Sequence, residues 1–246
     1  MSENKYMKRT EIIQGHIVEY HPHDHTYYVD GLVVPSVSDL CKKAYPNRYR
    51  GIDSNTLARA IKRGNHLHQL IETYETKGIL GNTIEFKNYL KLKESLNFKV
   101  KQVETMVLIK YQDTIIACGR FDLLVELDGS LCLIDIKRTR ELHIPTYTLQ
   151  LNLYRYGISS NTSIEIEALK ILRLRDSDAH SIDIPVDDDL VRRTLNAYVK
   201  PKLNPQVEPN LSLETIHRNA TISTGTWILC GVIIIACIGI VFWLFS

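Results

Sequence analysis

The stretch Gly119-Arg-Phe-Asp122-Leu-Leu-Val-Glu-Leu-Asp128-Gly129-Ser-Leu-Cys-Leu-Ile-Asp135-Ile136-Lys137 reads as a β-hairpin that forces two carboxylates together. Asp128-Gly129 is the turn, because glycine accepts the positive φ of a two-residue type I′ turn and apolar runs flank the pair. With that turn residue 127 faces 130, and Asp122 faces Asp135 with Cβ atoms roughly 5 Å apart. Like charges placed so repel each other. Hard divalent metals with oxygen ligands are the usual compensation. Lys137 lies two residues past Asp135 and shares its face, while Ile136 points into an apolar layer. The expected surface therefore carries two metal-binding carboxylates and an ammonium. An isolated Asp-x-Lys is more often a solvated edge, so the surrounding chain has to decide.

Working outward, strands are expected at 103–111 and 115–126 before the strand at 131–137. A three-residue loop at 112–114 puts Glu104 opposite Asp122 as a third acid. A two-residue loop aims Glu104 at the other face, so its place among the metal ligands rests on register. A helix is expected over 55–75, with Leu57, Ala60, Ile61, Leu67, Leu70 and Ile71 in period and His68 and Glu72 on one face. Further helices are expected over 85–96 and 145–156, the latter with Gln150 and Tyr154 on one face. Strands at 164–175 and 180–186 follow, then a closing helix from 187, where acids suit the positive end of the helix dipole. Near the start, Asp30-Gly31 turns a small hairpin over 27–34, and Ser36 or Ser38 caps a short helix to Lys43. The sum is an α/β domain with a central mixed sheet and helices on its faces.

These residues resemble the PD-(D/E)XK nuclease superfamily, in particular its RecB-like exonuclease branch of phage and mitochondrial genome-maintenance enzymes. Gly64-Asn65-His66-Leu67-His68 resembles the early helix in which a histidine follows glycine by four, which selects His68 over His66. Gly119-x-x-Asp122, Asp135-Ile136-Lys137 and Gln150-Leu-Asn-Leu-Tyr154 resemble the three motifs that follow, and Val34-Pro35-Ser36-Val37-Ser38 an element near the start. The resemblance spans about residues 27–156, leaves the last third unmatched, and departs at Phe121, where the superfamily name has proline. It implies a restriction-endonuclease-like core and an exonuclease acting on DNA ends. Asp122 and Asp135 would hold Mg²⁺ or Mn²⁺ with the Ile136 backbone carbonyl, and His68 would be a further ligand from the helix. Lys137 would orient a water or stabilise developing charge. Gln150 and Tyr154 would position the phosphate or the lysine. Some relatives carry an iron-sulfur cluster; Cys41, Cys118 and Cys132 lack the grouped spacing for one, and none is expected here.

Net charge is only +2, so no global field announces nucleic acid. Between residues 42 and 63, however, Lys42, Lys43, Arg48, Arg50, Arg59, Lys62 and Arg63 stand against one acid, Asp53, with Tyr45 and Tyr49 interleaved. That run reads as a track for the DNA backbone, salt-sensitive and indifferent to sequence. His21-Pro-His23-Asp-His25 could chelate a transition metal and reads more simply as an exposed polar segment before the first strand.

At 246 residues and 28.3 kDa the chain holds one domain, expected over 1–199, and an appendage. Residues 226–245, TWILCGVIIIACIGIVFWLF, carry no charge over the length that spans a bilayer, with Trp227 and Trp243 near the ends. They read as a transmembrane tail anchor behind a proline-containing linker at 200–225. Lys200, Lys202 and Arg218 precede the span with no basic residue after it, which favours a cytoplasmic nuclease domain. The N-terminus shows no signal peptide, and the odd number of cysteines before the span suits a reducing compartment. Two rival readings stand beside the tethered exonuclease. One is a catalytically silent nuclease-fold protein that binds DNA or a partner. The other makes the membrane helix itself the function, as in a pore; its lack of a polar stripe argues for an anchor instead.

Overall fold

The computed structural model describes residues 8–48 and 51–199. Strands β1 (Arg9–Ile13), β2 (His16–His21), β3 (Thr26–Val29) and β4 (Leu32–Val34) form one antiparallel sheet in chain order. Helices α1 (Val37–Ala44), α2 (Ser54–Lys77) and α3 (Ile84–Leu96) follow. The larger sheet consists of β5 (Lys99–Tyr111), β6 (Thr114–Leu127), β7 (Ser130–Lys137), β8 (Ala168–Leu174) and β9 (Ala179–Ile184), paired in that order. Helix α4 (Ile144–Asn161) connects β7 to β8, which lies parallel to it, the crossover such a pair requires. The other neighbours are antiparallel. Helix α5 (Asp188–Asn196), capped by the Asp187 side chain, comes last. The protein is thus α/β, with a mixed five-stranded sheet flanked by helices, as its hydrophobic pattern leads one to expect.

Each face of that sheet has its own core. Phe121, Leu133, Leu149 and Leu153 belong to the cluster on the α4 side, whereas Leu67, Ile71, Phe86, Ile134 and Ile136 form another with α2 and α3. The smaller sheet packs Val18, Tyr20, Tyr27 and Val29 onto Met106, Leu108 and Cys118. Cys41, Cys118 and Cys132 are free and buried, and burial pushes each thiol up to about 12, so they act as small apolar residues.

Both Asp-Gly turns form as type I′ hairpins, with φ of 52° and 83° at Asp128 and Gly129 and 50° and 80° at Asp30 and Gly31. The β6–β7 ladder runs from Leu127↔Ser130 to Leu123↔Ile134 in the expected register. It stops one pair short of Asp122 and Asp135. The β5–β6 loop is the two-residue type, with Tyr111 paired to Thr114 and positive φ at Gln112 and Asp113. On that loop alone Glu104 would face away from Asp122. Ile116 is an extra residue, however: Lys110 pairs with Ile115 but Ile109 with Ala117, and the shift carries on to Thr105↔Phe121 and Val103↔Leu123. This bulge restores Glu104 to the level of Asp122.

Strands β1 and β2 were not expected from the sequence. They join through Gln14-Gly15, both at positive φ, and the alternation is blurred because Ile12 and Ile17 lie on the exposed face while Arg9 and Glu11 lie on the half-buried one. His21 ends β2, so the histidine-rich segment is strand end and turn rather than a lead-in to the first strand. Among the described residues no helix is long and apolar enough to cross a membrane. The expected linker and span, at 200–225 and 226–245, lie outside the described residues, as does Arg50.

Candidate active site

The pleat breaks where the site is built. Residues two apart on a strand share a face, yet Phe121 packs into the α4 core and Leu123 into the α2–α3 core. Across from them Glu104 sits at φ 48°, a left-handed conformation that costs a non-glycine residue about 1–2 kcal/mol. With the alternation interrupted on both strands, the Glu104 and Asp122 carboxylates meet the His68 ring from α2. His68 Nδ1 lies 3.1 Å from Glu104 Oε1 and 3.3 Å from Asp122 Oδ1, and Nε2 lies 3.1 Å from the Ile136 carbonyl oxygen. The Ile136 N–H donates to Asp122 Oδ2 at 2.6 Å, so a side chain takes over where the β6–β7 ladder ends.

Both ring nitrogens of His68 face acceptors, which only the doubly protonated imidazolium satisfies. Burial opposes that charge, but Asp122 and Glu104 outweigh it and hold the His68 pKa well above its ordinary value. Burial likewise opposes ionisation of Asp122, and His68, Lys137 and the Ile136 N–H together hold its pKa down. The donor atoms of His68, Glu104 and Asp122 lie within 4.8 Å of one another. Arg120 completes the charge balance, its Nε 2.6 Å from Glu104 Oε2 and its guanidinium 4.8 Å over the Tyr20 ring. Sequence reasoning missed Arg120, although it lies two residues before Asp122 in the same motif.

Asp135 is not part of that trio. Lys137 Nζ lies 2.7 Å from its Oδ1 and 2.6 Å from its Oδ2. Burial pushes the Asp135 pKa up to about 6, with Lys137 pulling it back and Asp122 pushing it further. Lys137 is held above its ordinary pKa: burial acts against its charge, and Asp135, Asp122 and Tyr147 outweigh that. The two acids expected to face each other lie just past the end of the ladder, Asp122 against the histidine and Asp135 against the lysine, still near enough that the Asp122 charge acts on both Asp135 and Lys137.

Helix α4 supplies the opposite side. Tyr147, Gln150 and Tyr154 share a face at i, i+3 and i+7, and Lys137 Nζ lies 5.1 Å from the Tyr147 ring centroid. Tyr147 is the residue that the spacing of Gln150 and Tyr154 could have revealed. Burial raises the Tyr154 pKa well above the ordinary value, with the Gln150 side chain pulling it back, so it stays a neutral phenol. Gly119 leaves room for Tyr154: a Cβ there would lie 2.6 Å from Tyr154 Cε1 and 2.9 Å from Val37 Cγ2. Gly119→Ala should therefore destabilise the fold by about 2 kcal/mol through overpacking, read as a lower urea midpoint at unchanged slope.

Above these groups lies a cleft of about 1280 Å³ whose lining includes His68, Lys137, Gln150 and Tyr154. Of the expected DNA track, Lys42, Arg48 and Arg63 line it. Lys43 instead lies 4.8 Å from the Tyr198 ring centroid, Arg59 bonds to Thr56, and Lys62 is exposed outside the cleft. Arg138, Arg140 and Arg175 contribute cations that the sequence reading did not select, Arg138 being anchored to Glu85 at 2.6 Å. The histidine-rich segment makes local contacts: the His25 Nδ1 is 2.8 Å from the Tyr20 hydroxyl, and the His21 ring packs tilted against Tyr28 at 4.7 Å between centroids.

No protein-family model matches the chain, and no curated protein matches it. Among solved structures, a protein designated SSO0001 is similar at 19% identity with a TM-score of 0.40, over 68% of this chain and 78% of that one. An alkaline exonuclease from Laribacter hongkongensis, LHK-Exo, is similar at 11% identity with a TM-score of 0.38, over 66% of this chain and 82% of its own. Likeness at this level carries no weight for function, and the site speaks through its own side chains.

Proposed function

We propose that the protein is a metal-dependent nuclease of the PD-(D/E)XK type that hydrolyses phosphodiester bonds of DNA from chain ends. The observation that carries this reading is the convergence of His68, Glu104 and Asp122 beside the Asp135–Lys137 pair, under a cleft lined by cations. The donor set fits a divalent ion, being two carboxylates and the His68 Nδ1 that faces them both, a nitrogen that gives up its proton when an ion binds, while Nε2 keeps its proton against the Ile136 carbonyl oxygen. His68, Glu104 and Asp122 would hold Mg²⁺ or Mn²⁺, which when bound would polarise the phosphoryl oxygen and acidify a water. Lys137 holds its proton close to the reacting phosphate and stabilises charge developing there. Asp135 keeps the ammonium aimed and neutralises it in the absence of DNA. Arg48, Arg63, Arg138 and Arg140 bind the phosphates on either side without reading sequence.

The apolar stretch at 226–245 would tether the enzyme to a membrane, with residues 1–199 on the cytoplasmic side. The deciding assay incubates the chain with end-labelled linear DNA, single-stranded and double-stranded in separate arms, and a closed circle, with Mg²⁺ or Mn²⁺ against EDTA, and loss in either linear arm counts for the nuclease reading. Loss of linear DNA that needs metal, spares the circle and fails in Asp135→Ala is the expected result. Intact DNA under every condition would favour a silent binding protein instead.

A further inference from the structure

Helix α2 contains a glycine that the fold does not require. Gly64 sits in the middle of a 24-residue helix, where glycine is the least favourable residue after proline. Its φ is ordinary, and a Cβ built there would meet no atom within 4 Å. The space in front of it belongs to the cleft. Leu57, Ile61, Gly64 and His68 fall at i, i+4, i+7 and i+11, so one face of α2 leads along the cleft directly to the candidate metal residues. That face is apolar before it reaches Gly64. Ile61 is 52% exposed, and Ile52, in the segment before α2 and also lining the cleft, is 47% exposed.

A double helix presents phosphates outward and hides its bases, so it gives exposed isoleucines nothing to bind. A single strand offers phosphates to cations and base faces to apolar side chains at once. Resting on the nuclease reading above, we infer that the cleft takes a single strand of nucleic acid, its bases against Ile52, Leu57 and Ile61 and its backbone passing close over Gly64 to His68 and Lys137. Lys42, Arg63, Arg138 and Arg140 then meet successive phosphates. The absent side chain at Gly64 is what lets the strand approach the helix one turn before the reacting residues.

The test is fluorescence anisotropy of the full chain in detergent, in EDTA and low salt, with a labelled 20-nucleotide oligothymidylate against a blunt 20-base-pair duplex. The single strand should bind at least about tenfold more tightly than the duplex, and Leu57→Ser with Ile61→Ser should remove most of that preference. Gly64→Gln should weaken single-strand binding about tenfold while leaving the thermal midpoint unchanged or higher, since glutamine is a better helix former. A structural glycine would instead lose stability. Equal binding of duplex and single strand, no binding of the single strand, or full affinity in Gly64→Gln would each overturn the inference. Because binding is read without metal, hydrolysis of duplex ends in Mn²⁺ would sink the single-strand inference alone. Selective single-strand binding with no hydrolysis in any metal would sink the nuclease reading alone.

Discussion

Lys137→Met is expected to lower metal-dependent DNA hydrolysis by a factor of about 10³, the largest single loss among conservative changes at the site. The ammonium is the cation nearest Asp135, at 2.6 and 2.7 Å from its two oxygens, and the Tyr147 ring holds its other side. Methionine keeps the packing and removes the charge. Lys137→Arg should not rescue the rate, because a planar guanidinium places its donors elsewhere than a point ammonium does. The substitution also leaves Asp135, 3% exposed, as a buried acid without its cation. Its carboxyl is already pushed up to about 6, chiefly by burial, and loses the lysine that pulled it back. An acid whose folded pKa exceeds its unfolded value loses stability as pH rises from the unfolded toward and through the folded value. The stability deficit of Lys137→Met, measured by urea unfolding in EDTA, should therefore be small at pH 5 and larger at pH 8. Lys137→Met combined with Asp135→Asn should recover the stability and none of the activity. A variant that is equally stable at both pH values yet inactive would mean that Asp135 finds another partner.

Gly157→Ala is the counterpart in stability, with an expected loss of about 3 kcal/mol from overpacking. Gly157 lies where α4 presses on β5. A Cβ there would stand 2.6 Å from Ile109 Cδ1, 2.8 Å from Val107 Cγ2 and 2.8 Å from the Leu108 carbonyl oxygen. The last of these cannot retreat easily, since Leu108 is paired to Cys118 in the sheet and its carbonyl accepts a hydrogen bond from Asn161 at 2.7 Å. The helix must lift instead, which moves Tyr147, Gln150 and Tyr154 with it. The thermal midpoint should fall by roughly 6–12 °C. Gly64→Ala should do the reverse and raise it by roughly 2–4 °C, since there the added methyl meets nothing and alanine favours the helix. A fall in both variants would contradict the assignment of Gly64 to the cleft.

These two glycines mark how far a sequence reading reaches. Both lie inside helices and look alike along the chain; only the neighbouring strand makes one indispensable, and only open space makes the other a candidate contact for a ligand. The same holds at the acids. Asp128-Gly129 and Asp30-Gly31 announce their turns locally, because positive φ is a property of two residues and needs no partner. The spacing and the motif resemblance singled out His68, Asp122, Asp135 and Lys137, and the fold places His68 against Asp122 and Lys137 against Asp135. Glu104 was not decided by its loop, whose two residues point it the wrong way until the bulge at Ile116 restores it. Arg138 escaped notice because the acid that anchors it, Glu85, lies far along the chain, whereas Arg120 and Tyr147 had a local signal in the motifs they share with Asp122 and with Gln150 and Tyr154.

By itself the sequence determined the hairpin turns, the order and type of the strands and helices from 27 onward, and the alternation of β5 to β7 away from the site, since these depend on local dihedral preference and hydrophobic period. The tertiary structure decided which acid serves which partner. The ladder ends one pair early, Glu104 takes a left-handed turn, and the carboxylates divide between an imidazole on α2 and an ammonium on β7. Such a division depends on the balance of burial against charge pairing among groups brought together from four separate elements, a balance that exists only once the chain is folded.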